Sequence, residues 1–320
     1  MSIAVAATPF AKSLLAGLAK PQKSLEPKFF YDRRGSELFE EITALDAYYP
    51  TRTEIGILER SASEIARAIG PGAVLAEPGA GALRKARIVL SALERPAAFA
   101  PGDISADHLK DAAAELAGDF PGLAIWPFKV DFDGPFDLPA EAAALGPVTV
   151  FFPGSTIGNF EPKAATALLR RFAGLANARK LLVGVDLKKD HNRLVRAYDD
   201  PEGVTAAFNL NLLVRANREL GADFDLDAFA HVARYDATQG RIEMHLESRR
   251  AQEVTVLGRR FAFRAGETIH TENSYKYDIA EFEAVAGSAG WTPDACWTDA
   301  ERLFSVQLYT RPAETPPSTM

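Results

Sequence analysis

The chain is nearly devoid of cysteine, and this excludes two kinds of site. Cys296 is the only cysteine among the 320 residues, so neither an internal disulfide nor a zinc site built on paired cysteines can form. The five histidines include no HxH or HxxxH pair, so none is predicted to bind a metal. A single cysteine suits a reducing compartment, and we expect a cytoplasmic protein without a bound metal.

Basic patches and long apolar runs are also missing. Acidic residues outnumber basic ones by 43 to 36, the net charge is −7, and no run of Lys and Arg marks a nucleic-acid surface. No apolar run approaches the ~20 residues of a membrane helix, and the N-terminus lacks the pattern of a secretory signal. We therefore expect no nucleic-acid partner and no membrane partner, and we expect a monomer.

Strand-like and helix-like segments alternate from residue 72 to residue 188. Short runs rich in β-branched and apolar residues are each followed by a helical pattern, which predicts a parallel, doubly wound sheet. In such sheets, ligands bind beyond the carboxyl ends of the strands. The predicted strands are 73–77, 97–101, 125–130, 148–153 and 180–186.

A glycine turn follows the first of these strands. The strand ends at Glu77, the turn contains Gly79 and Gly81, and a helix is predicted from about Arg84 to Leu93. Glycines let a backbone approach a ligand, and the next helix offers free amide groups. The third glycine of a dinucleotide fingerprint is replaced by Arg84, which argues against a pyrophosphate. The turn is compatible with a ligand that has no phosphate, such as S-adenosylmethionine.

Polar residues stand at the ends of the next strands. Asp103 can accept hydrogen bonds from ribose hydroxyls, or cap the next helix, or do both. Asp131 and Phe132 can hold an adenine ring, or they can form a turn. The loop that ends at Asn159 can place an amide against a substrate amine or carboxylate, or it can be an ordinary strand-to-helix turn.

The pattern changes after residue 188. Helices are predicted with a break after Tyr198, and antiparallel strands follow as far as residue 278. A helix and a terminal β-hairpin then complete the chain, as in Rossmann-like methyltransferases. We predict one domain from 53–188 and 279–320, and a second, inserted over the open end of the sheet, from 1–52 and 189–278.

Two tyrosines stand at predicted element ends near the N-terminus. Tyr31 and Tyr48 can face a ligand there, but taken alone they favour the simpler interpretation of two half-buried tyrosines with satisfied hydroxyls. Thr51 and Glu54 have the spacing of a capping box, which predicts a helix that starts at this point.

A polar pair stands in the last strand-like segment before residue 278. If this stretch is extended, its period of two places Glu272 and Ser274 on one face. That face can hydrogen-bond a planar ring with two nitrogens. Alternatively, it is the solvent-facing side of a strand.

Six segments together resemble the L-histidine Nα-methyltransferases of ergothioneine biosynthesis, an S-adenosylmethionine-dependent, histidine-specific family. They occur in the family's order over nearly the whole chain. The resemblance implies an α/β fold: a Rossmann-like class I S-adenosylmethionine-dependent methyltransferase sheet with an inserted α+β substrate-binding domain. The segments are Tyr31–Phe39, Tyr48–Glu54, Gly154–Asn159, Arg196–Asp200, Arg241–Met244 and Thr271–Glu272.

The resemblance implies S-adenosylmethionine as the cofactor, and it assigns residues to that site. The implied cofactor residues are Gly79, Lys85, Asp103, Asp131 and Phe132. The glycine loop departs from the family's pattern, which has hydroxyl side chains around the glycines, so backbone contacts are expected to hold the cofactor. The departing residues are Pro78, Ala80, Ala82 and Leu83.

The resemblance also assigns the substrate residues. The groups implied to hold the amino and carboxylate groups are Tyr48, Asn159 and Tyr198, with Tyr31 nearby. The groups implied to bind the imidazole are Glu272 and Ser274, with Met244 packed against the ring. Asn159 and Tyr31 are the expected catalytic residues, which orient the amine nitrogen. Asn273 stands where a small apolar residue is expected.

The implied reaction is successive methylation of the histidine α-amine to the trimethylated betaine, hercynine. No strong general base is expected, because the orienting side chains need only admit the neutral amine, and water can remove the proton. One alternative is N-methylation of another amino acid or an aromatic amine. A second alternative is a non-catalytic sensor of S-adenosylmethionine or of an amino acid.

Overall fold

The computed structural model describes residues 8–104 and 106–311. The chain forms two compact units: unit 1 comprises the residues up to Tyr49 and Lys189–Lys276, and unit 2 comprises Pro50–Lys188 and the residues from Tyr277 onward. Cofactor binding by unit 2 and substrate binding by unit 1 stay predictions. The strands, in chain order, are β1 (Lys23–Ser24), β2 (Val74–Pro78), β3 (Ala98–Asp103), β4 (Ala124–Ile125), β5 (Phe128–Lys129), β6 (Val148–Phe152), β7 (Ala178–Asp186), β8 (Phe229–Asp236), β9 (Arg241–Ser248), β10 (Gln252–Val256), β11 (Arg259–Phe263), β12 (Thr268–Tyr275), β13 (Thr292–Thr298) and β14 (Phe304–Thr310).

Helices connect most of these strands. No helix in the described part of the chain combines the length and the apolar character that a membrane span requires. The α-helices are Pro9–Leu18, Arg33–Ala44, Tyr49–Ile69, Arg84–Ala92, Ala106–Asp119, Ala140–Ala143, Pro162–Gly174, His191–Tyr198, Val204–Leu220 and Ile279–Ser288. The 3-10 helices are Pro27–Phe30, Thr156–Asn159 and Leu226–Ala228.

Unit 2 contains the predicted doubly wound sheet. Its strand order is β13-β14-β7-β6-β2-β3-β4, and β5 pairs with β3. Neighbours from β7 to β5 run parallel, whereas β14 runs antiparallel to both β7 and β13. The sequence prediction of a parallel sheet closed by a helix and a terminal hairpin is therefore confirmed.

One predicted strand of this sheet is interrupted. The sequence predicts a single strand over 125–130, but the structure has the two short strands β4 and β5. Pro127 stands between them and has no N–H to donate, so it breaks the ladder at that position. The preceding residue, Trp126, still donates its N–H to the Phe99 carbonyl at 2.9 Å.

The helix Tyr49–Ile69 begins before the predicted capping box. Thr51 lies inside the helix, and Pro50 occupies its first turn, where the missing N–H of proline has no cost. Glu54 is fully buried, and its carboxylate accepts the N–H of Gly154 at 2.9 Å. The capping-box prediction is wrong, because the Glu54 side chain is used in a contact distant in sequence.

The core of unit 2 lies around its central strands. Every residue of β2 and of β6 is buried, as expected for strands covered on both faces. Phe99 and Phe151 are at most 1 % exposed and belong to one apolar cluster. Truncating either ring to alanine would cost about 3–5 kcal/mol, because a cavity would replace the packed ring.

Unit 1 is built mainly on antiparallel pairing, although the two-residue β1 runs parallel to β12. Its main sheet has the order β1-β12-β9-β8, and β10 and β11 form a separate hairpin. The helices His191–Tyr198 and Val204–Leu220 confirm the predicted helical region and its break after Tyr198. Asp32 caps the helix Arg33–Ala44 through the N–H of Gly35 and also accepts a hydrogen bond from Asn211 at 2.8 Å.

Candidate active-site residues

The glycine turn of unit 2 requires a residue without a side chain. Gly79 follows β2 with a φ of +79°, a conformation that residues with a Cβ rarely adopt. Its N–H donates to the Gly102 carbonyl at 2.7 Å. A Cβ on Gly79 would lie 3.1 Å from the ring of Phe132, so the two predicted cofactor residues are in direct contact.

A buried glutamate stands just before this turn. Glu77 is 3 % exposed, and its Oε2 atom has no hydrogen-bond partner within residues 8–104 and 106–311. Burial raises its pKa to about 8, against the opposing effect of Lys85, while the nearby Glu54 raises it further. Lys85 is itself paired with Glu54, with Nζ and Oε2 2.5 Å apart.

Glu54 and Glu77 were not predicted as site residues. For Glu77 the sequence carried a signal, since an acidic residue at a strand end directly precedes the glycine turn. Glu54 carried a misleading one, because its spacing from Thr51 imitates a capping box.

The remaining predicted residues of unit 2 lie at the same edge of its sheet. Asp103 ends β3, Asp131 comes two residues after β5, and Asn159 ends the 3-10 helix that follows β6. Because β2, β3, β5 and β6 run parallel, these residues meet at the carboxyl ends of the strands. The Asp131 carboxylate also accepts the N–H of Asp133 at 3.0 Å, so the predicted turn is present as well.

The loop between β6 and the helix Pro162–Gly174 is held in an uncommon conformation. Gly154 has a φ of +83°, and Ser155 has a φ of +56°. The Ser155 hydroxyl accepts the N–H of Asp186 at 3.0 Å, which secures the loop to the end of β7. Asn159 is half-buried at the end of this loop.

The chemistry of this edge fits S-adenosylmethionine better than a phosphate ligand. Glu77, Asp103 and Asp131 carry carboxyl groups, and the cation Lys85 is already paired with Glu54. Carboxylates repel phosphate but accept hydrogen bonds from hydroxyl or ammonium groups. Among the described residues the Glu77 Oε2 atom has no partner, so it offers an acceptor for a ribose hydroxyl or an amino-acid ammonium group, and Gly79 adds no side chain beside it.

Unit 1 groups the predicted tyrosines in an aromatic cluster. The rings of Tyr48 and Tyr198 are 6.0 Å apart, and Phe39 lies 6.3 Å from Tyr48 and 5.7 Å from Tyr31. Although 43 % of Tyr31 is accessible, desolvation of its hydroxyl and the nearby Glu272 carboxylate raise its pKa well above the usual value. Tyr31 therefore stays a neutral phenol.

The predicted imidazole residues also come together in unit 1. Glu272 pairs with Met244 across β12 and β9, so their side chains lie on the same face of the sheet, and Ser274 follows two residues on. Ser274 and Met244 are buried, and Glu272 is half-buried, so a solvent-facing strand side is excluded. Burial raises the pKa of Glu272 to about 7, and Lys276 opposes this shift.

Lys276 is a residue of this group that the sequence analysis missed. It is 2 % exposed, and its ammonium group donates to the Tyr198 hydroxyl at 2.9 Å and to the Ser274 hydroxyl at 2.8 Å. A signal was available, because Lys276 continues the alternation of Glu272 and Ser274 by two residues.

The opposite face of the same sheet holds a group of potential metal ligands. Glu243, His245 and His270 each offer a ligand atom, and these atoms lie within 4.8 Å of one another. The two imidazole rings are stacked, 4.6 Å apart and 19° from parallel, so their in-plane lone pairs do not converge on one ion. Burial lowers the pKa of His245 to about 4, against the raising effect of its hydrogen bond to Glu243. Sequence spacing did not reveal this pair, because strand register brings the two histidines together.

Nearly the whole described chain is similar to known methyltransferases. The family model of the S-adenosylmethionine-dependent, histidine-specific methyltransferases matches residues 10–311. A histidine N-alpha-methyltransferase of Mycolicibacterium smegmatis is 43 % identical over 312 residues, which cover 96 % of each chain. One of Mycobacterium tuberculosis is 42 % identical over 303 residues and 93 % of each chain. An L-tryptophan methyltransferase of Psilocybe serbica is 28 % identical, over 94 % of this chain and 93 % of that protein.

The family match covers both units and every predicted site residue. The chain therefore belongs to the S-adenosylmethionine-dependent, histidine-specific methyltransferase family.

Proposed function

We propose that this protein transfers methyl groups from S-adenosylmethionine to the α-amine of L-histidine. One observation carries the proposal: Glu272 and Ser274 place a carboxylate and a hydroxyl on one buried strand face, with Met244 directly opposite Glu272. Two polar groups at this spacing match the two ring nitrogens of an imidazole, and Met244 offers an apolar contact to the ring. The histidine N-alpha-methyltransferases among the relatives support the same substrate.

The aromatic cluster suits the other end of the amino acid. Tyr48 combines an apolar ring with a hydroxyl that can donate to a carboxylate, and the Tyr198 oxygen can accept a hydrogen bond from an amine. The product of three methylations is a quaternary ammonium group, which aromatic faces stabilise through cation–π attraction. Tyr31 and Phe39 extend this aromatic surface. The cluster therefore tolerates the growing number of methyl groups, which supports trimethylation as the outcome.

The residues of unit 2 are proposed to hold the cofactor. Gly79 offers backbone without a side chain, Phe132 offers a ring, and Glu77 offers a buried acceptor oxygen. S-adenosylmethionine, when bound, supplies an activated methyl group on a sulfonium. No side chain needs to act as a strong base, since the neutral amine is already a nucleophile.

Orientation is then the main contribution of the chain. Asn159 and Tyr31 are proposed to orient the amine nitrogen. Water removes one proton from the ammonium form before each methyl transfer, so that the nitrogen has a free electron pair, and the third transfer gives the quaternary ammonium without releasing a further proton. Holding reactants in a productive geometry can lower a barrier by ~7–11 kcal/mol.

Mass spectrometry of one reaction tests the proposal. The purified protein is incubated with S-adenosylmethionine and an equimolar mixture of the amino acids, including tryptophan. We expect histidine alone to gain methyl groups, up to three. Methylation of tryptophan or another amino acid would reject the substrate assignment, and binding of S-adenosylmethionine without any methylation would reject the enzymatic role.

A further inference from the structure

A closed triangle of hydrogen bonds lies beside the proposed imidazole residues. The Lys276 ammonium donates to the hydroxyls of Tyr198 and Ser274, at 2.9 and 2.8 Å. These two hydroxyls are also 2.8 Å from each other. All three groups are buried, so water does not compete for these bonds. The three distances and the burial therefore restrict which group can donate in each bond.

Counting donors and acceptors assigns the protons. An ammonium group has only donors, so Lys276 occupies one lone pair on each hydroxyl oxygen. One hydroxyl must then donate to the other, and a phenol is the stronger donor because it is the stronger acid. With Tyr198 donating to Ser274, both lone pairs of the serine oxygen are used. Its own hydrogen is left to be donated to a ligand.

We propose that Lys276 is a positioning residue that fixes Ser274 as a hydrogen-bond donor beside the acceptor Glu272, so that this face recognises a neutral imidazole in one orientation. One ring N–H is donated to Glu272, and the bare ring nitrogen accepts from Ser274. The inference rests on the proposed histidine substrate. It adds Lys276 as the residue that makes Ser274 the donor and leaves Glu272 as the acceptor.

This order rejects rings that lack the matching groups. An imidazolium carries two N–H groups, so the Ser274 hydrogen would find no acceptor. An indole carries an N–H but no ring acceptor, which again leaves the buried hydroxyl unpaired. A site built to hydrogen-bond a substrate group discriminates strongly against an analogue without that group. Lys276 also supports the acceptor, because its charge favours the ionised form of Glu272.

A double-mutant cycle tests the role of Lys276. The protein is saturated with S-adenosylhomocysteine and titrated with L-histidine or with 3-(2-thienyl)-L-alanine, whose five-membered ring has no nitrogen. The variants are Lys276→Met, Ser274→Ala and the double variant. We expect each single change to weaken histidine binding at least about tenfold, since a buried donor or acceptor loses its partner. Thienylalanine binding should change less than about twofold, and the double loss should be smaller than the product of the single losses.

Three results separate this inference from the proposed function. Equal losses for both ligands in Lys276→Met would give Lys276 a merely structural role and overturn the inference, as would losses that multiply in the double variant. A wild-type protein that does not prefer histidine to thienylalanine would overturn the proposed function itself. Lys276→Gln is the second variant if Lys276→Met does not fold. It keeps an N–H donor without the charge, and we expect it to retain more discrimination than Ser274→Ala.

Discussion

Each unit holds a glutamate with a raised pKa among its proposed ligand residues, and each glutamate has a lysine nearby, but only one of the two lysines is paired with a second glutamate. In unit 1, burial raises the pKa of Glu272 to about 7, and Lys276 opposes this. In unit 2, the pKa of Glu77 reaches about 8, although Lys85 opposes burial there too. The difference is Glu54, which pairs with Lys85 and adds a second negative charge. A nearby lysine therefore favours an ionised carboxylate less when another carboxylate shares it.

The two sites also use different parts of the chain. The proposed cofactor site depends on backbone at Gly79 and on side chains at the ends of parallel strands. The proposed substrate site depends on side chains placed by antiparallel register and by the helix that ends at Tyr198. Changes to the backbone should therefore affect the cofactor most, and changes to single polar groups should affect the substrate most.

Replacing the buried glutamate of unit 2 should have opposite effects on binding and on stability. We expect Glu77→Gln to weaken S-adenosylhomocysteine binding about 10- to 100-fold at pH 9, where Glu77 is ionised, because a hydrogen bond to a charged group is worth about 1.5–3 kcal/mol. Without ligand, the variant should be more stable than the parent at pH 9. The folded-state pKa of Glu77 is raised to about 8, so the parent loses stability as the pH rises from about 4.5 towards 8.

Calorimetry and thermal melting at pH 6 and pH 9 check both parts of this prediction. Glu94→Gln is the matched control, because Glu94 is an exposed glutamate of the same unit. Unchanged cofactor affinity in Glu77→Gln would remove Glu77 from the site.

A methyl group at the glycine turn should weaken cofactor binding about tenfold. Gly79→Ala forces a left-handed conformation on alanine, at a cost of about 1–2 kcal/mol, and brings its Cβ to 3.1 Å from Phe132. Gly81→Ala is the control, since its Cβ would meet no atom within 4 Å. Similar S-adenosylhomocysteine affinities for both variants, measured by calorimetry, would contradict a cofactor role for the Gly79 backbone.

Histidine binding should weaken on acidification through neutral pH. Glu272 is a stronger acceptor for a ring N–H when ionised, and its pKa is about 7, so we expect the affinity to fall several-fold between pH 8 and pH 6. The substrate imidazole also titrates in this range, near 6.5. Glu272→Gln separates the two, because the variant keeps only the titration of the substrate. An identical pH profile for both proteins would show that Glu272 does not set the dependence.

Loss of the helix cap at Asp32 should cost stability and leave the ligands nearly unaffected. Burial alone would raise the pKa of Asp32, but hydrogen bonds from Arg218, Gly35 and Asn211 outweigh it, and the pKa is lowered. We expect Asp32→Ala to destabilise the protein by about 1 kcal/mol at pH 7, the usual cost of a lost cap. The difference should shrink as the pH falls below about 4, where aspartate becomes protonated. Urea unfolding at pH 7 and pH 3 measures it.

The sequence was sufficient for features that depend on local pattern. Gly79, Asp103 and the strand ends of unit 2 follow from alternating strands and helices, and the alternation of Glu272 and Ser274 follows from a period of two. Contacts between residues distant in sequence could not be predicted from local patterns. Glu54 lies 100 residues from Gly154, and no local rule predicts that they meet.

Strand register was the other missing information. His245 and His270 stack because their strands pair at that position, just before the register shifts between His270 and Glu272. A periodic pattern predicts on which face of the sheet a side chain lies, but it does not predict which residue of the neighbouring strand stands next to it. The same limit hid the contact of Lys276 with Tyr198, which lies on a different element.

The central claim is that unit 1 binds the substrate and unit 2 binds the cofactor. Its most direct test is calorimetry of Glu272→Ala with L-histidine and with S-adenosylhomocysteine. Glu243→Ala is the matched control, because Glu243 lies on the opposite face of the same strand pair. We expect Glu272→Ala to weaken L-histidine binding at least about 30-fold while the affinity for S-adenosylhomocysteine stays within about twofold, and we expect Glu243→Ala to change neither. Equal losses of both ligands in Glu272→Ala, or unchanged histidine binding, would contradict the account.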